Sequence, residues 1–280
     1  MSDRPVASVV VPVGRVDVEL DEQLAALQAQ RSEVAIEIVL ALNAPGDDVE
    51  AELRTLADGQ PGWPIRIVDA SDRRGAAHAR NVGAAEAAGE LLLFCDGDDR
   101  VAPGWAATLI DRAGRGHAVG GHLDEELLAV PGQADWRPPA TPDELPSFLD
   151  HPYLVSANCA VHRDDFLAVG GFDEQLTRCE DLAFSYALVE AGVELSYAAK
   201  AIVHYRHRAG LVPMLRQHFL YGRGMSELIA RGMLPGSDGG LATRFRANSQ
   251  PVDRWTTAQV LRKLSLGAGR LVGTATARGQ

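Results

Sequence analysis

Leu91-Leu92-Leu93-Phe94-Cys95-Asp96-Gly97-Asp98-Asp99 is the stretch on which the fold turns. Five consecutive apolar residues read as a strand buried on both faces, the kind found in parallel sheets covered by helices on each side. They run directly into three carboxylates around a glycine. Unpaired charges are too costly to bury, so the strand ends there, at the edge of the sheet. In open parallel sheets, ligands bind beyond the carboxyl ends of the strands. The mutual repulsion of the acids is relieved by a divalent cation, and oxygen donors select a hard one such as Mg²⁺ or Mn²⁺. Gly97 is expected to let the backbone bend so that Asp96 and Asp98 converge.

Toward the N-terminus the same grammar repeats. Ala7-Ser8-Val9-Val10-Val11-Pro12-Val13 and Ile36-Glu37-Ile38-Val39-Leu40-Ala41-Leu42 read as buried strands, and residues 65–68 as a shorter one. Leu20, Leu24 and Leu27 fall at helical spacing between the first two. Asn43-Ala44-Pro45-Gly46 is a turn, after which Asp47 is placed to cap a helix with Val49, Leu53 and Leu56 inward. The Ala-rich residues 76–88 are helix-prone. Strands alternating with helices give an α/β chain with a mostly parallel central sheet flanked by helices.

Toward the C-terminus the pattern loosens. Residues 131–146 hold five prolines and read as a loop. Residues 183–191 look helical, 193–197 and 201–205 look like two short strands, and 211–231 look like a longer helix. Residues 256–278 carry Arg262, Lys263, Arg270 and Arg278 and no acid; Gly267, Gly269 and Gly273 are expected to weaken a helix there.

Composition sets bounds. The chain has 280 residues, 46% of them hydrophobic, which excludes a disordered chain. No apolar run reaches the roughly 18–20 residues needed to span a bilayer, and the N-terminus shows no secretory cleavage pattern. The three cysteines, Cys95, Cys159 and Cys179, have no paired spacing, as in reduced cytoplasmic proteins. The net charge of -11 argues against nucleic-acid binding. It is uneven: residues 1–150 carry 12 Lys and Arg against 27 Asp and Glu, and residues 151–280 carry 15 against 11. The first part suits cations and the second anions, or both are solvated faces.

Five segments in order then resemble glycosyltransferase family 2: 9–13 (Val-Val-Val-Pro-Val), 74–83 (Arg-Gly-Ala-Ala-His-Ala-Arg-Asn-Val-Gly), 92–99 with its Asp96-Gly97-Asp98, 169–174 (Val-Gly-Gly-Phe-Asp-Glu) and 180–184 (Glu-Asp-Leu-Ala-Phe). The resemblance covers roughly residues 6–225 and implies a GT-A-type, Rossmann-like catalytic domain over 1–208. Its nucleotide-binding half is about 1–125, its acceptor half about 126–208, and a C-terminal helical extension fills 209–280. It implies an inverting transfer from a UDP-, GDP- or dTDP-linked sugar to the hydroxyl of a saccharide, lipid-linked or small-molecule acceptor, with Mn²⁺ or Mg²⁺.

The same resemblance implies residue roles. Asp181 is the general base. Asp96 and Asp98 meet ribose and metal, and His204 completes the metal site or is simply a strand-end histidine. Pro12, Val13, Asn43, Arg74, Arg80 and Gly97 join Asp96 and Asp98 in holding the nucleotide sugar. Gly170, Gly171 and Phe172 form the acceptor-side loop, and Glu180 either holds the acceptor or starts a helix. The chemistry is consistent: a departing diphosphate gathers negative charge that a divalent ion neutralises, and a carboxylate takes the proton of the attacking hydroxyl.

Two departures stand out. Relatives often carry an acidic turn after the second strand, where this chain has Asn43, an amide that can hydrogen-bond a base edge. The first strand ends Pro12-Val13-Gly14-Arg15 without an aromatic for base stacking. A nucleotidyltransferase would want a Lys-bearing phosphate loop, and the only lysines are Lys200 and Lys263. A degenerate, binding-only transferase is opposed by the intact Asp96, Asp98 and Asp181. The basic group Arg206, His207, Arg208, Arg216, His218 and Arg223 can meet a diphosphate, meet an anionic acceptor, or form a solvated face. The unpaired cysteines point to a cytoplasmic protein, and the basic C-terminus is either a peripheral contact at the inner face of a membrane or, with its glycines weakening it as a helix, a segment with no such contact.

Overall fold

The computed structural model describes residues 5–44, 46–129, 144–176, 178–207, 210–233 and 257–277. Most of the expected proline-rich loop lies outside the described residues, as do Arg208 and Arg278.

Strands β1 (Ala7–Val13), β2 (Ile36–Leu42), β3 (Ile65–Asp69) and β4 (Leu91–Cys95) form where the apolar runs place them. They pair in parallel in the order β3-β2-β1-β4. Side chains alternate between two cores. Val9, Val11, Val13, Leu91 and Leu93 face one core, built with Leu20, Leu24 and Leu27 of α1 (Val18–Gln28) and Leu53 of α2 (Asp47–Asp58). Val10, Leu92 and Phe94 face the other, with Ala77 and Ala84 of α3 (Ala76–Glu86). Gly83 lets α3 lie against the sheet, because a Cβ there would come within 2.6 Å of Val10 Cγ1. Asp17 caps α1 by accepting from Leu20 N. The cap position expected for Asp47 is held by Gly46, and Asp47 is the first helical residue of α2.

The second half extends the sheet with β5 (Arg100–Val101), β6 (His117–Asp124), β9 (Asn158–His162) and β10 (Glu194–His204). The full order is β3-β2-β1-β4-β9-β6-β10-β5. β6 and β10 are parallel, while β9 runs antiparallel between β4 and β6. A separate pair, β7 (Ser147–Phe148) and β8 (His151–Pro152), leads into β9. The two strands expected over 193–205 are one strand with an irregularity between Ala198 and Ile202. Helix α4 (Trp105–Arg112) completes the first core with Trp105 and Leu109; α5 (Arg163–Ala168) and α6 (Glu180–Glu190) complete the second with Phe166 and Phe184. Asn158, 1% exposed, receives a bond from Trp105 Nε1 and donates to the carbonyls of His122 and Ala201, which ties β9 to its neighbours.

Two long helices close the chain, α7 (Leu211–Ala230) and α8 (Thr257–Ala277). The α8 glycines do not break it. A Cβ at Gly269 would lie 1.9 Å from Phe219 O, and one at Gly222 would lie 2.0 Å from Leu266 O. The expected helix weakness is outweighed by close backbone approach, and packing rather than propensity holds α8.

Candidate functional site

A cavity of about 670 Å³ opens at the carboxyl ends of β1, β2 and β4, where a doubly wound sheet binds ligands. Pro12, Val13 and Asn43 line it from the first two strands, and Asp96, Gly97 and Asp98 from the fourth. Glu180 and Asp181 line it from the start of α6, and Gln217 and Tyr221 from α7.

The acidic turn is rigidly held. Gln23, fully buried on α1, donates to Asp96 O at 2.9 Å and accepts from Val101 N at 3.0 Å. Arg206, just past β10, donates from Nε to Asp98 O at 2.9 Å and from its main-chain N–H to Asp99 Oδ1 at 2.7 Å. Its Nη2 reaches Glu22 of α1 at 2.7 Å. Gly97 has no positive φ, so the expected bend is not its contribution. Its value is space: a Cβ would meet Leu20 Cδ1 at 3.2 Å and Pro12 O at 3.4 Å.

Asp96, Asp98 and Asp99 each offer an oxygen within 4.8 Å of the others. Burial, then the charge of Asp96, pushes Asp98 above the usual carboxylate range, and the same two causes push Asp99 well above it. Asp99 is fully buried, and its Oδ2 has no hydrogen-bond partner. A buried, unpartnered carboxylate oxygen within a cluster of acids fits a divalent cation as its ligand. Among the described residues, this all-oxygen trio is the group of that kind.

The structure places His204 elsewhere. Its Nδ1 lies 2.5 Å from Asp124 Oδ2, an engagement that leaves it outside the trio, while the next two residues, Tyr205 and Arg206, line the cavity.

Arg80 on α3 is 3% exposed. It donates to Asp96 Oδ1 and reaches Glu180 Oε1 at 3.5 Å. Burial alone would lower its pKa, but Asp96 and Glu180 outweigh burial and hold it charged. Its Nη1 and Nη2 brace the acidic residues, and it lines the cavity with them. Asn43 is similarly occupied: its amide donates to the carbonyls of Ala70 and Arg73 and accepts from Gly75 N, so it closes the loop before α3 instead of presenting a free edge to a base. Arg74 is exposed on that loop and does not line the cavity.

Asp181 sits in the first turn of α6. Burial, then the neighbouring charge of Glu180, pushes its carboxyl up to about 7, against the pull of the Leu182 N–H and of Arg80. Oδ1 accepts from Leu182 N at 2.9 Å. The helix enters from Cys179, a non-glycine residue at φ +69°. α7 packs on this turn: Gly224 approaches Arg178 O so closely that a Cβ would lie at 2.7 Å. Strain of this sort is kept where surrounding packing enforces it, commonly at functional sites.

Gly170, Gly171 and Phe172 do not line the cavity. Phe172 is 2% exposed and packs against Phe94, Phe166 and Phe184, with Arg80 over its ring. The loop is fastened to α3 by Asn81, which donates to Phe172 O and accepts from Phe172 N. Gln23, Gln217 and Tyr221 were not singled out for the site by sequence. Gln23 carried a signal, being a polar residue within the stripe of Leu20, Leu24 and Leu27.

The model of the family described as "Glycosyl transferase family 2" matches residues 8–164. The pre-mycofactocin glycosyltransferase of Mycobacterium tuberculosis H37Rv is 28% identical over 189 residues, covering 60% of this chain and 37% of that protein. The chain thus spans little more than a third of the length of that relative. Among solved structures, the mannosyltransferase PcManGT from Pyrobaculum calidifontis, in complex with GDP-Man and Mn²⁺, superposes with a TM-score of 0.62 at 19% identity, over 99% of this chain and 74% of that one. Residues 1–349 of S. aureus TarS, in complex with UDP-GlcNAc, give 0.56 at 16% identity over 98% and 92%. These likenesses show a shared fold, with a mostly parallel sheet flanked by helices.

Proposed function

We propose that this chain, which belongs to glycosyl transferase family 2, moves a sugar from a nucleoside-diphosphate donor to an acceptor hydroxyl with inversion. The observation that carries the reading is that Asp96, Asp98 and Asp181, drawn from two distant stretches of sequence, line one cavity.

In this reading the acceptor oxygen attacks the anomeric carbon, the bond from that carbon to the diphosphate oxygen breaks, and the hydroxyl proton passes to the Asp181 carboxylate. One displacement with no covalent intermediate inverts the centre, as in inverting glycosidases. A base held near neutrality by burial is matched to that task. Asp96, Asp98 and Asp99 are the residues that would hold Mn²⁺ or Mg²⁺. That ion, when bound, would supply positive charge to the leaving diphosphate. Arg206 and Gln23 fix the backbone of the acidic turn, so its carboxylates need little rearrangement when the donor binds.

The donor half is assigned to residues 1–125 and the acceptor half to 126–208. Gln217 and Tyr221 bring the C-terminal extension into the cavity wall, and in this reading the extension belongs to the acceptor side. The solved neighbours bind GDP-Man and UDP-GlcNAc, which supports a nucleotide-sugar donor here.

A thermal-shift panel tests this. Ligands that bind only the folded state raise its melting temperature. A UDP-, GDP- or dTDP-sugar is expected to do so with Mn²⁺ and much less without it, and Asp98→Ala is expected to lose the Mn²⁺-dependent part. An unchanged response in Asp98→Ala would sink the metal assignment.

A further inference from the structure

Helix α8 presents an apolar row to the outside. Val260, Leu264 and Leu271 are 43%, 64% and 75% exposed, and Ala268 between them is exposed as well. Their spacing of four, four and three residues puts them on one helix face. The opposite face, at Gly269 and Gly273, is the one pressed against α7. A surface helix of a globular protein ordinarily turns its apolar stripe inward, and contiguous apolar surface marks an interaction site. Ser265 Oγ bonds Leu215 O, and Ser226 Oγ bonds Arg270 O, so the two helices run parallel. Exposed Leu211 and Val212, at the start of α7, therefore lie toward the same end as Val260.

Charge says what fits this face. Residues 210–280 hold ten Arg and Lys against three Asp and Glu, a net +7; residues 1–209 hold 17 against 35, a net -18. Residues 257–277 contain Arg262, Lys263 and Arg270 and no acid. The described part of that region, residues 210–233 and 257–277, carries six Arg and Lys against one acid, so a second copy of the chain would bring two layers of net +5 face to face, which like-charge repulsion opposes. An anionic lipid surface attracts the basic layer, repels the acidic body, and accepts the apolar row below its headgroups. Among the described residues no helix is long and apolar enough to cross a membrane, so α8 would lie in the interface rather than span it.

We propose that the outer face of α8 docks on an anionic bilayer surface and orients the cavity relative to it. Because α7 lies between α8 and the cavity and contributes Gln217 and Tyr221 to its wall, docking sets that wall about one helix spacing, roughly 8–10 Å, from the lipid-bound helix. The docking stands on exposure and charge alone. Only the corollary that an acceptor carried on a lipid comes within reach rests on the sugar-transfer reading.

The test is co-sedimentation of the full chain with vesicles of phosphatidylcholine alone and with vesicles about one-third phosphatidylglycerol. Binding at least tenfold tighter to the anionic vesicles is expected, weakening as salt is raised. The double variant Leu264→Gln/Leu271→Gln, at exposed positions away from the cavity, should lose at least tenfold of that binding with an unchanged melting temperature and unchanged Mn²⁺-dependent donor response. Absence of vesicle binding, or binding indifferent to the substitutions, would overturn the proposal. So would a lipid-free dimer that the same substitutions disperse, which would assign the face to a second copy.

Discussion

Arg80 Nη2 donates to Oδ1 of Asp96, and the same buried guanidinium reaches Glu180 Oε1 at 3.5 Å. One cation thus ties Asp96 in the acidic turn after β4 to Glu180, the residue beside Asp181, 84 positions further along the sequence. Arg80 lines the cavity, with its guanidinium over the Phe172 ring.

Removing that cation leaves two partly buried carboxylates facing each other. Arg80→Met is expected to lower stability by about 3–5 kcal/mol, the usual cost of breaking one partner out of a buried ion pair. Urea unfolding checks this. A loss below about 1 kcal/mol would show that the pairing is not structural.

The Asp181 carboxyl, raised by burial and then by Glu180 to about 7, sets the pH dependence. A base must be ionised to accept a proton, so the transfer rate should fall about tenfold per pH unit below about pH 7 and level off above it. Stability runs the other way. The folded pKa exceeds the unfolded value of 3.8, so this group's contribution is fully present at low pH and is lost as pH rises through 7. Asp181→Asn should therefore stabilise the fold at pH 8, by about 0.5–2 kcal/mol, and more than at pH 5. Paired rate and melting profiles from pH 5 to 8.5 read both signs.

The α7–α8 contact separates two glycines. Gly269→Ala drives a Cβ into the Phe219 carbonyl and should cost about 1–3 kcal/mol. Gly267→Ala, with nothing within 4 Å, should gain about 0.5–1 kcal/mol of helix propensity. Thermal unfolding of the two variants should move in opposite directions.

These contrasts show what was legible from residues alone. β1, β2 and β4 are bounded where their apolar runs begin and end, because strands buried on both faces are nearly continuously apolar; the buried exceptions, Ser8 and Glu37, bond each other. β9 and β6 were not read. Their pattern is broken by Asn158, Gly120 and Gly121, and Asn158 is tolerable only because Trp105, His122 and Ala201, all distant in sequence, satisfy its amide. α6 begins at Glu180, three residues before the expected start, since the chain enters it through a left-handed Cys179 that no local pattern announces. At the site, the residue types were legible and their partners were not. Asn43 and Arg80 suit a nucleotide by type, yet one closes its own loop and the other braces acids. His204 sits beside Asp124, brought to it by the parallel pairing of β6 and β10.

The most direct test of the central claim, one cavity in which a carboxylate base faces a donor held at an acidic turn, is Asp181→Asn. Donor affinity by Mn²⁺-dependent titration and transfer rate to an acceptor hydroxyl are measured on the same preparation. The account expects donor affinity within about threefold of the parent and a transfer rate at least about 100-fold lower, as removal of a general base implies. A variant that transfers at the parent rate, with donor binding intact, would contradict it.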